Sequence, residues 1–196
     1  SITALGAQIA LDARPGFGIV KGDIKNGYNE VKRESVLKAM RASGKLGHTL
    51  AFMHAIMKPN AYIGLGAGTR MTTAPFKCCE GQHQGAIESS WLFSLAVNDA
   101  FQRHNERLAE HGGAMMAIMD DNYTIGNPEH IFESMQLLKE DLAEAGLELQ
   151  PSKPKCYISE ENRNEEWDRL RGDTPNETMV DDNGITHYGL SRTRGL

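Results

Sequence analysis

The chain has 196 residues, 40% apolar and 24% charged, which suits one domain or one large piece of a longer protein and excludes collagen, a coiled-coil rod and wholesale disorder. The formal net charge of −5 is unevenly placed: residues 159–183 hold nine of the 26 acids and three of the 21 bases, leaving 18 bases against 17 acids elsewhere. Global charge therefore decides nothing about partners. Cys78, Cys79 and Cys156 cannot pair completely and show no metal-ligand spacing, so they read as inert thiols in a reducing compartment. No apolar run reaches about 18 residues, and the start lacks a basic n-region and a long apolar h-region, so neither a membrane span nor a secretory leader is expected. The first residue is not Met and the chain stops abruptly at SRTRGL, as a piece of a longer protein would.

Leu5, Ile9, Ala10 and Ala13 suit a short helix ended by Pro15 and Gly16. The run Gly18 to Gly22 predicts a strand that delivers Asp23 at its carboxyl end. Val36, Leu37 and Met40 predict an amphipathic helix stopped by Gly44, and Leu46, Leu50, Met53 and Met57 a second one stopped by Pro59. Between 61 and 79 the period changes to two around a Gly-Ala-Gly tripeptide, which predicts a β-hairpin. Ile87 to Leu108 reads as a long core helix ended by Gly112 and Gly113.

AMMAIMDDNYTIG then reads as a hairpin with two carboxylates at its turn, and Asn127-Pro128 opens a helix whose apolar positions are Ile131, Met135, Leu138 and Leu142. Leu147 to Ile158 and the terminal GITHYGL could each add a strand. The acidic stretch 159–183 has no helical or strand period and reads as a solvated loop or linker. The order βααββαββαβ describes an α+β fold, an antiparallel sheet with helices packed on one face.

Adjacent aspartates at the end of an apolar strand raise each other's pKa, a cost that a divalent cation removes, although Asp-Asp-Asn is also ordinary turn chemistry. A third carboxylate, Asp23, likewise ends an apolar strand. Two strand ends of one sheet can bring three hard oxygen ligands together, a set suited to Mg²⁺ or Mn²⁺ in phosphoryl transfer.

Taken together, DIKNGYNEVKR, EGQHQGAIESSWLFSLAVNDAF, IMDDNYTIG and AGLELQPSKPKCYI resemble, in order and spacing, four motifs of the reverse transcriptase palm, particularly of non-LTR retrotransposons and group II introns. The second motif departs from the usual pattern, with Ala86, Ile87 and Glu88 after Gln84-Gly85, and Ile118-Met119 stands where an aromatic and Ala usually precede the paired aspartates. The resemblance implies a palm with a remnant of fingers over 1–158, the acidic linker over 159–183, and over 184–196 the start of a primer-grip hairpin with Gly189 as its best match.

It further implies RNA-directed DNA polymerisation: addition of a dNTP to a DNA primer 3′ end on an RNA template, using two Mg²⁺ or Mn²⁺ ions, in the nucleus or cytoplasm. Asp23 and Asp120 would ligate both ions, with Asp121 adjacent and the Ile24 carbonyl an added ligand. Tyr28 would exclude a 2′-hydroxyl, Gln84 and Gly85 would line the nucleotide and template side, and Lys153 would protonate the departing pyrophosphate. Lys32, Arg33, Lys38, Arg41 and Lys45 form a basic cluster that could follow a phosphate backbone. Two other readings stand beside this one: a viral RNA-dependent RNA polymerase palm, disfavoured by Tyr28 where a second aspartate is expected, and a non-catalytic retroelement remnant kept for binding.

Overall fold

The computed structural model describes residues 9, 11, 13–57, 61–65, 72–78, 80–82, 88–150, 155–158, 164–171, 179–180 and 186–187. Along the chain stand β1 (Gly18–Asp23), α1 (Gly27–Glu30), α2 (Arg33–Ala42), α3 (Gly47–Ile56), β2 (Ala61–Leu65), β3 (Thr72–Cys78), α4 (Ser89–Ala109), β4 (Ala114–Ile118), β5 (Asp121–Gly126), α5 (Pro128–Glu144), β6 (Lys155–Tyr157), α6 (Glu165–Arg171), β7 (Met179–Val180) and β8 (Thr186–His187). Two units divide them: Ser1–Lys25 with Asp99–Leu142 and Glu148–Leu196, and Asn26–Asn98 with Ala143–Leu147. The class is α+β, as the element order predicts. No helix of the described residues is long and apolar enough to cross a membrane.

The first unit is built on a four-stranded sheet of order β4-β5-β1-β6 with every neighbouring pair antiparallel. The central position of β1 explains its sequence, because a strand paired on both edges and covered on both faces is apolar without alternation, and Gly18, Ile19 and Val20 are all buried. Side chains still alternate between faces. Ile19 packs with Phe17, Tyr123, Ile125, Tyr157 and Leu11 on one side. Val20, Cys156 and Ile158 pack on the other with Leu108 of α4, Ile131 of α5 and Trp167 of α6. The helix from Pro128 buries Ile131, Leu138 and Leu142, the positions its period predicts, with Met135 partly buried against the same core.

The stretch expected as an acidic loop differs from expectation. It contains α6, whose Trp167 is fully buried and donates its indole N–H to the Gly16 carbonyl at 2.9 Å. Its ring meets Phe132 edge-on at 5.8 Å and lies so close to Gly18 that a Cβ there would sit 2.5 Å from an indole carbon. One aromatic anchor at 167 thus orders a segment whose other side chains are mostly charged. Beyond it β7 pairs with β8, which supplies the strand expected in GITHYGL; Gly189 lies outside the described residues.

The second unit holds α1, α2, α3, the β2-β3 hairpin and residues 89–98 of α4. Its buried apolar residues include Val31, Val36, Met40, Met53, Met57, Leu92, Phe93 and Val97, with Ala145 and Leu147 from its second segment. Arg33 is a correction to the basic cluster: only 8% exposed, it donates from Nε to the Gly81 carbonyl at 3.0 Å and from Nη1 to the Met57 carbonyl at 3.4 Å. Lys32, Lys38, Arg41 and Lys45 remain exposed. Gly81 itself, at φ 75°, lies against the Asn29 backbone where any Cβ would collide.

Candidate active site

β1 and β5 pair with Asp23 opposite Asp121, Lys21 opposite Tyr123 and Ile19 opposite Ile125. Cα atoms of such partners lie about 4.5–5.5 Å apart, so the register alone sets two carboxylates abreast although Asp121 stands 98 residues after Asp23. By alternation both point to the face of Ile19 and Tyr123, opposite the face that α4, α5 and α6 cover.

The β4-β5 hairpin closes through Met119 and Asp120, since Ile118 pairs directly with Asp121. Such two-residue turns need a positive φ, and here a non-glycine supplies it: Met119 has φ 60°. The left-handed conformation costs an ordinary L-residue roughly 1–2 kcal/mol, strain of the kind that accumulates where a turn must present a functional group. The turn is also tied down, because the Ile24 N–H donates to the Asp120 carbonyl at 3.3 Å. On the opposite edge, Lys25 N–H reaches the Glu148 carbonyl at 2.9 Å and Gln150 N–H the Asp23 carbonyl at 2.8 Å, with Leu149 bridged to Ile24. The carbonyl of Ile24 therefore faces the same side as its N–H, toward the Asp120 turn.

Lys21 is the cation of this cluster. Its Nζ lies 2.9 Å from Asp121 Oδ1 and 5.4 Å from the Tyr123 ring centre. Burial pulls the amine's pKa down, but the Asp121 carboxylate, together with Tyr123, more than offsets this and leaves it above its ordinary 10.5. Asp23, Asp120 and Asp121 are all half-buried. As a donor set, three carboxylates and a backbone carbonyl are hard oxygens of the kind and number that Mg²⁺ or Mn²⁺ takes. Among the described residues no three Asp, Glu, His or Cys side chains converge as they would around a bound ion.

Of the residues the motifs singled out, Asp23, Ile24, Asp120 and Asp121 thus meet at one end of the sheet. Tyr28 belongs to the other unit, where its ring stacks on Phe93 at 4.9 Å and its hydroxyl donates to Ser90 Oγ at 3.3 Å. Gln84, Gly85 and Lys153 lie outside the described residues. Lys21 was not singled out, although period two places it on the face of Asp23. Asn122 was also missed: its buried side-chain amide meets no hydrogen-bond partner among the described residues.

Residues 9–171 match the family described as reverse transcriptase (RNA-dependent DNA polymerase). No curated protein matches the sequence. Among solved structures, apo telomerase from Candida tropicalis is similar at TM-score 0.60 and 12% identity, over 78% of this chain and 30% of that one. Telomerase from Candida albicans in complex with a TWJ fragment of telomeric RNA is similar at TM-score 0.51 and 11% identity, over 83% and 31%. The chain spans under a third of the length of either, and at these identities the likeness is one of fold. With the family matched over most of its length, the chain belongs to the reverse transcriptase (RNA-dependent DNA polymerase) family.

Proposed function

We propose that this chain carries the catalytic carboxylates of an RNA-directed DNA polymerase, adding a dNTP to a DNA primer 3′ end on an RNA template. The observation that carries the reading is the β1-β5 register, which sets Asp23 against Asp121 and lets Ile24 hold the turn that presents Asp120. Reverse transcriptases generally use divalent metal ions, and here Asp23, Asp120 and the Ile24 carbonyl would hold them, with Asp121 beside the pair. A bound Mg²⁺ or Mn²⁺ supplies Lewis-acid activation of the primer hydroxyl and charge relief on the leaving pyrophosphate.

The chain's own residues do the rest. Strand pairing fixes the carboxylate spacing, Tyr28 selects the deoxy sugar by bulk, Gln84 and Gly85 line the nucleotide, and Lys153 gives a proton to pyrophosphate. The motif spacing resembles the non-LTR and group II enzymes. Primer extension by the full chain with Mg²⁺ tests the reading: Asp23→Asn and Asp120→Asn should each lower the rate by roughly a hundredfold or more at an unchanged circular dichroism spectrum. Wild-type extension by a folded Asp23→Asn protein would refute it.

The ion pair of Lys21 with Asp121 favours one second reading, a polymerase fold that keeps nucleic-acid binding without catalysis. On that reading neither aspartate substitution changes anything but charge, and template binding rises slightly in both.

A further inference from the structure

β4 stands at the end of the four-stranded sheet and, among the described residues, pairs with β5 alone. Ile118 and Asp121 flank the two-residue turn, so Ile118, Met116 and Ala114 direct their N–H and C=O groups at β5, and those of Met115 and Ala117 point away from the sheet. The Met115 N–H follows this alternation, since it donates to Asn105 Oδ1 of α4 at 2.9 Å. Natural edge strands are blunted by charge, by proline or by a bulge. β4 has none of these: AMMAI carries no charge and no proline, and its pairing with β5 runs without a break. Ala114, Ala117 and Ile118 are exposed, the last by 56%.

Beside this edge lies a groove of about 340 Å³ whose walls are Phe101, Gln102, Asn105 and Glu106 of α4 with Met115 and Ala117 of β4. All of them belong to the first unit. The single ionisable side chain, Glu106, stands among the Gln102 and Asn105 amides, so two copies of this surface meet without opposing blocks of like charge. An open row of backbone donors and acceptors flanked by an apolar-walled groove is the geometry that accepts an added strand.

The edge is complementary to itself, and we infer that β4 pairs antiparallel with β4 of a second copy of this chain. A two-fold axis beside Met116 sets Met115 against the second copy's Ala117, and Ala114 against its Ile118. Every outward N–H and C=O of Met115 and Ala117 then finds a partner across the axis, whereas a shift by one residue would aim them at groups already bonded to β5. Side-chain size matches as well, because each Ile118 covers an alanine and each Met115 lies against an alanine. The second copy's Met115 thereby enters the groove beside Phe101, a favourable thioether contact with an aromatic ring. Asn105 is the competitor, since its hold on the Met115 N–H is exchanged for the second copy's Ala117 carbonyl. Antiparallel pairing leaves the two Asp120 turns at opposite ends, clear of each other. The inference does not rest on the polymerase reading.

Sedimentation equilibrium of the full chain tests it, with a dimer dissociation constant expected on the order of ten micromolar. Ala117→Pro removes an outward N–H but none that β5 uses, and should weaken the dimer roughly tenfold or more at an unchanged circular dichroism spectrum. Asn105→Ala removes the competing cap and should tighten it about threefold. The register has its own readout in a Cys78→Ser, Cys79→Ser background. There Met116→Cys faces its own copy across a non-hydrogen-bonded pair, with Cα atoms about 4.5 Å apart, and should give a covalent dimer on mild oxidation, while Ala114→Cys should not. This cross-link decides the matter if Ala117→Pro fails to fold. A wild-type chain still monomeric at about 100 μM leaves the edge to a strand of another partner and overturns the inference. So does a dimer that Ala117→Pro leaves intact, or a cross-link at position 114 in place of 116. Because nothing is polymerised, the outcome is independent of primer extension.

Discussion

His104 sits fully buried on α4 and should make the fold sensitive to mild acid. Its Nε2 is 2.9 Å from Thr124 Oγ1 and its Nδ1 2.7 Å from Ser134 Oγ. The Thr124 hydroxyl also reaches Met135 Sδ at 3.4 Å and Nδ1 lies 3.1 Å from the Ser134 carbonyl, an acceptor for an Nδ1–H; with hydroxyls on both sides that can donate or accept, the neutral ring is accommodated in either tautomer. The neutral ring is thereby satisfied at both nitrogens. Burial is the main reason its pKa falls from 6.5 to about 4; Arg107 adds to the fall, while the Ser134 carbonyl and Asp141 oppose it.

The unfolded chain takes up the proton first, so the stabilisation is complete above about pH 6.5 and drains away as pH falls toward 4. Between pH 7.5 and 5.5 the expected loss is about 1.3 kcal/mol, and the full shift is worth about 3 kcal/mol. Asp141 is held by Arg103 at 2.9 Å and Arg107 at 2.7 Å, and its lowered pKa acts only at more acid pH, which leaves the upper window to the imidazole. Urea midpoints at the two pH values, compared between wild type and His104→Gln, measure it. The wild type should lose stability on acidification and the variant should be flatter by about 1 kcal/mol; equal slopes would refute the assignment of a buried neutral histidine.

Three further outcomes are expected. Tyr28→Ala should raise ribonucleotide over deoxynucleotide incorporation in primer extension with metal dependence intact, and an unmoved ratio would reduce Tyr28 to its packing on Phe93. Gly18→Ala should destabilise by about 1–3 kcal/mol, because its Cβ meets the Trp167 indole and the buried ring has no room to yield; a thermal melt within a degree of wild type would show that α6 gives way instead. Lys21→Gln should lower the Mg²⁺ concentration for half-maximal extension by up to about fivefold, the scale of a part-exposed ion pair at Asp121, whereas a higher requirement would mean that Lys21 helps assemble the carboxylates.

Most of the sheet was legible because its strands end on features that local chemistry marks: Asp23 after a β-branched run, and a two-residue turn between Ala114 and Gly126. The α5 face was legible from its spacing. What escaped was whatever depends on a distant partner. Arg33 counted as surface charge because nothing near it in sequence announces the carbonyls of Met57 and Gly81 that receive it. Trp167 was lost in an acidic stretch, since one buried aromatic in a seven-residue helix creates no period, and only Gly16, Gly18 and Phe132 show why it is needed.

The carboxylate cluster depends on residues that take no part in chemistry. Moving β1 by one residue against β5 would turn Asp23 to the helix-covered face and Val20 away from it, so the register must be held by something other than the aspartates. Ile19 against Ile125 and Tyr157, and Val20 against Cys156 and Ile131, supply that hold from both faces, and pairing with β5 and β6 supplies it from both edges. Gly22 completes the constraint: the amide of Asn122 lies over it where a Cβ would stand, so the strand stays flush with its partner one residue before Asp23. A substitution at Gly22 should therefore disturb Asp23 more than one on the exposed strand β4, although neither touches a carboxylate.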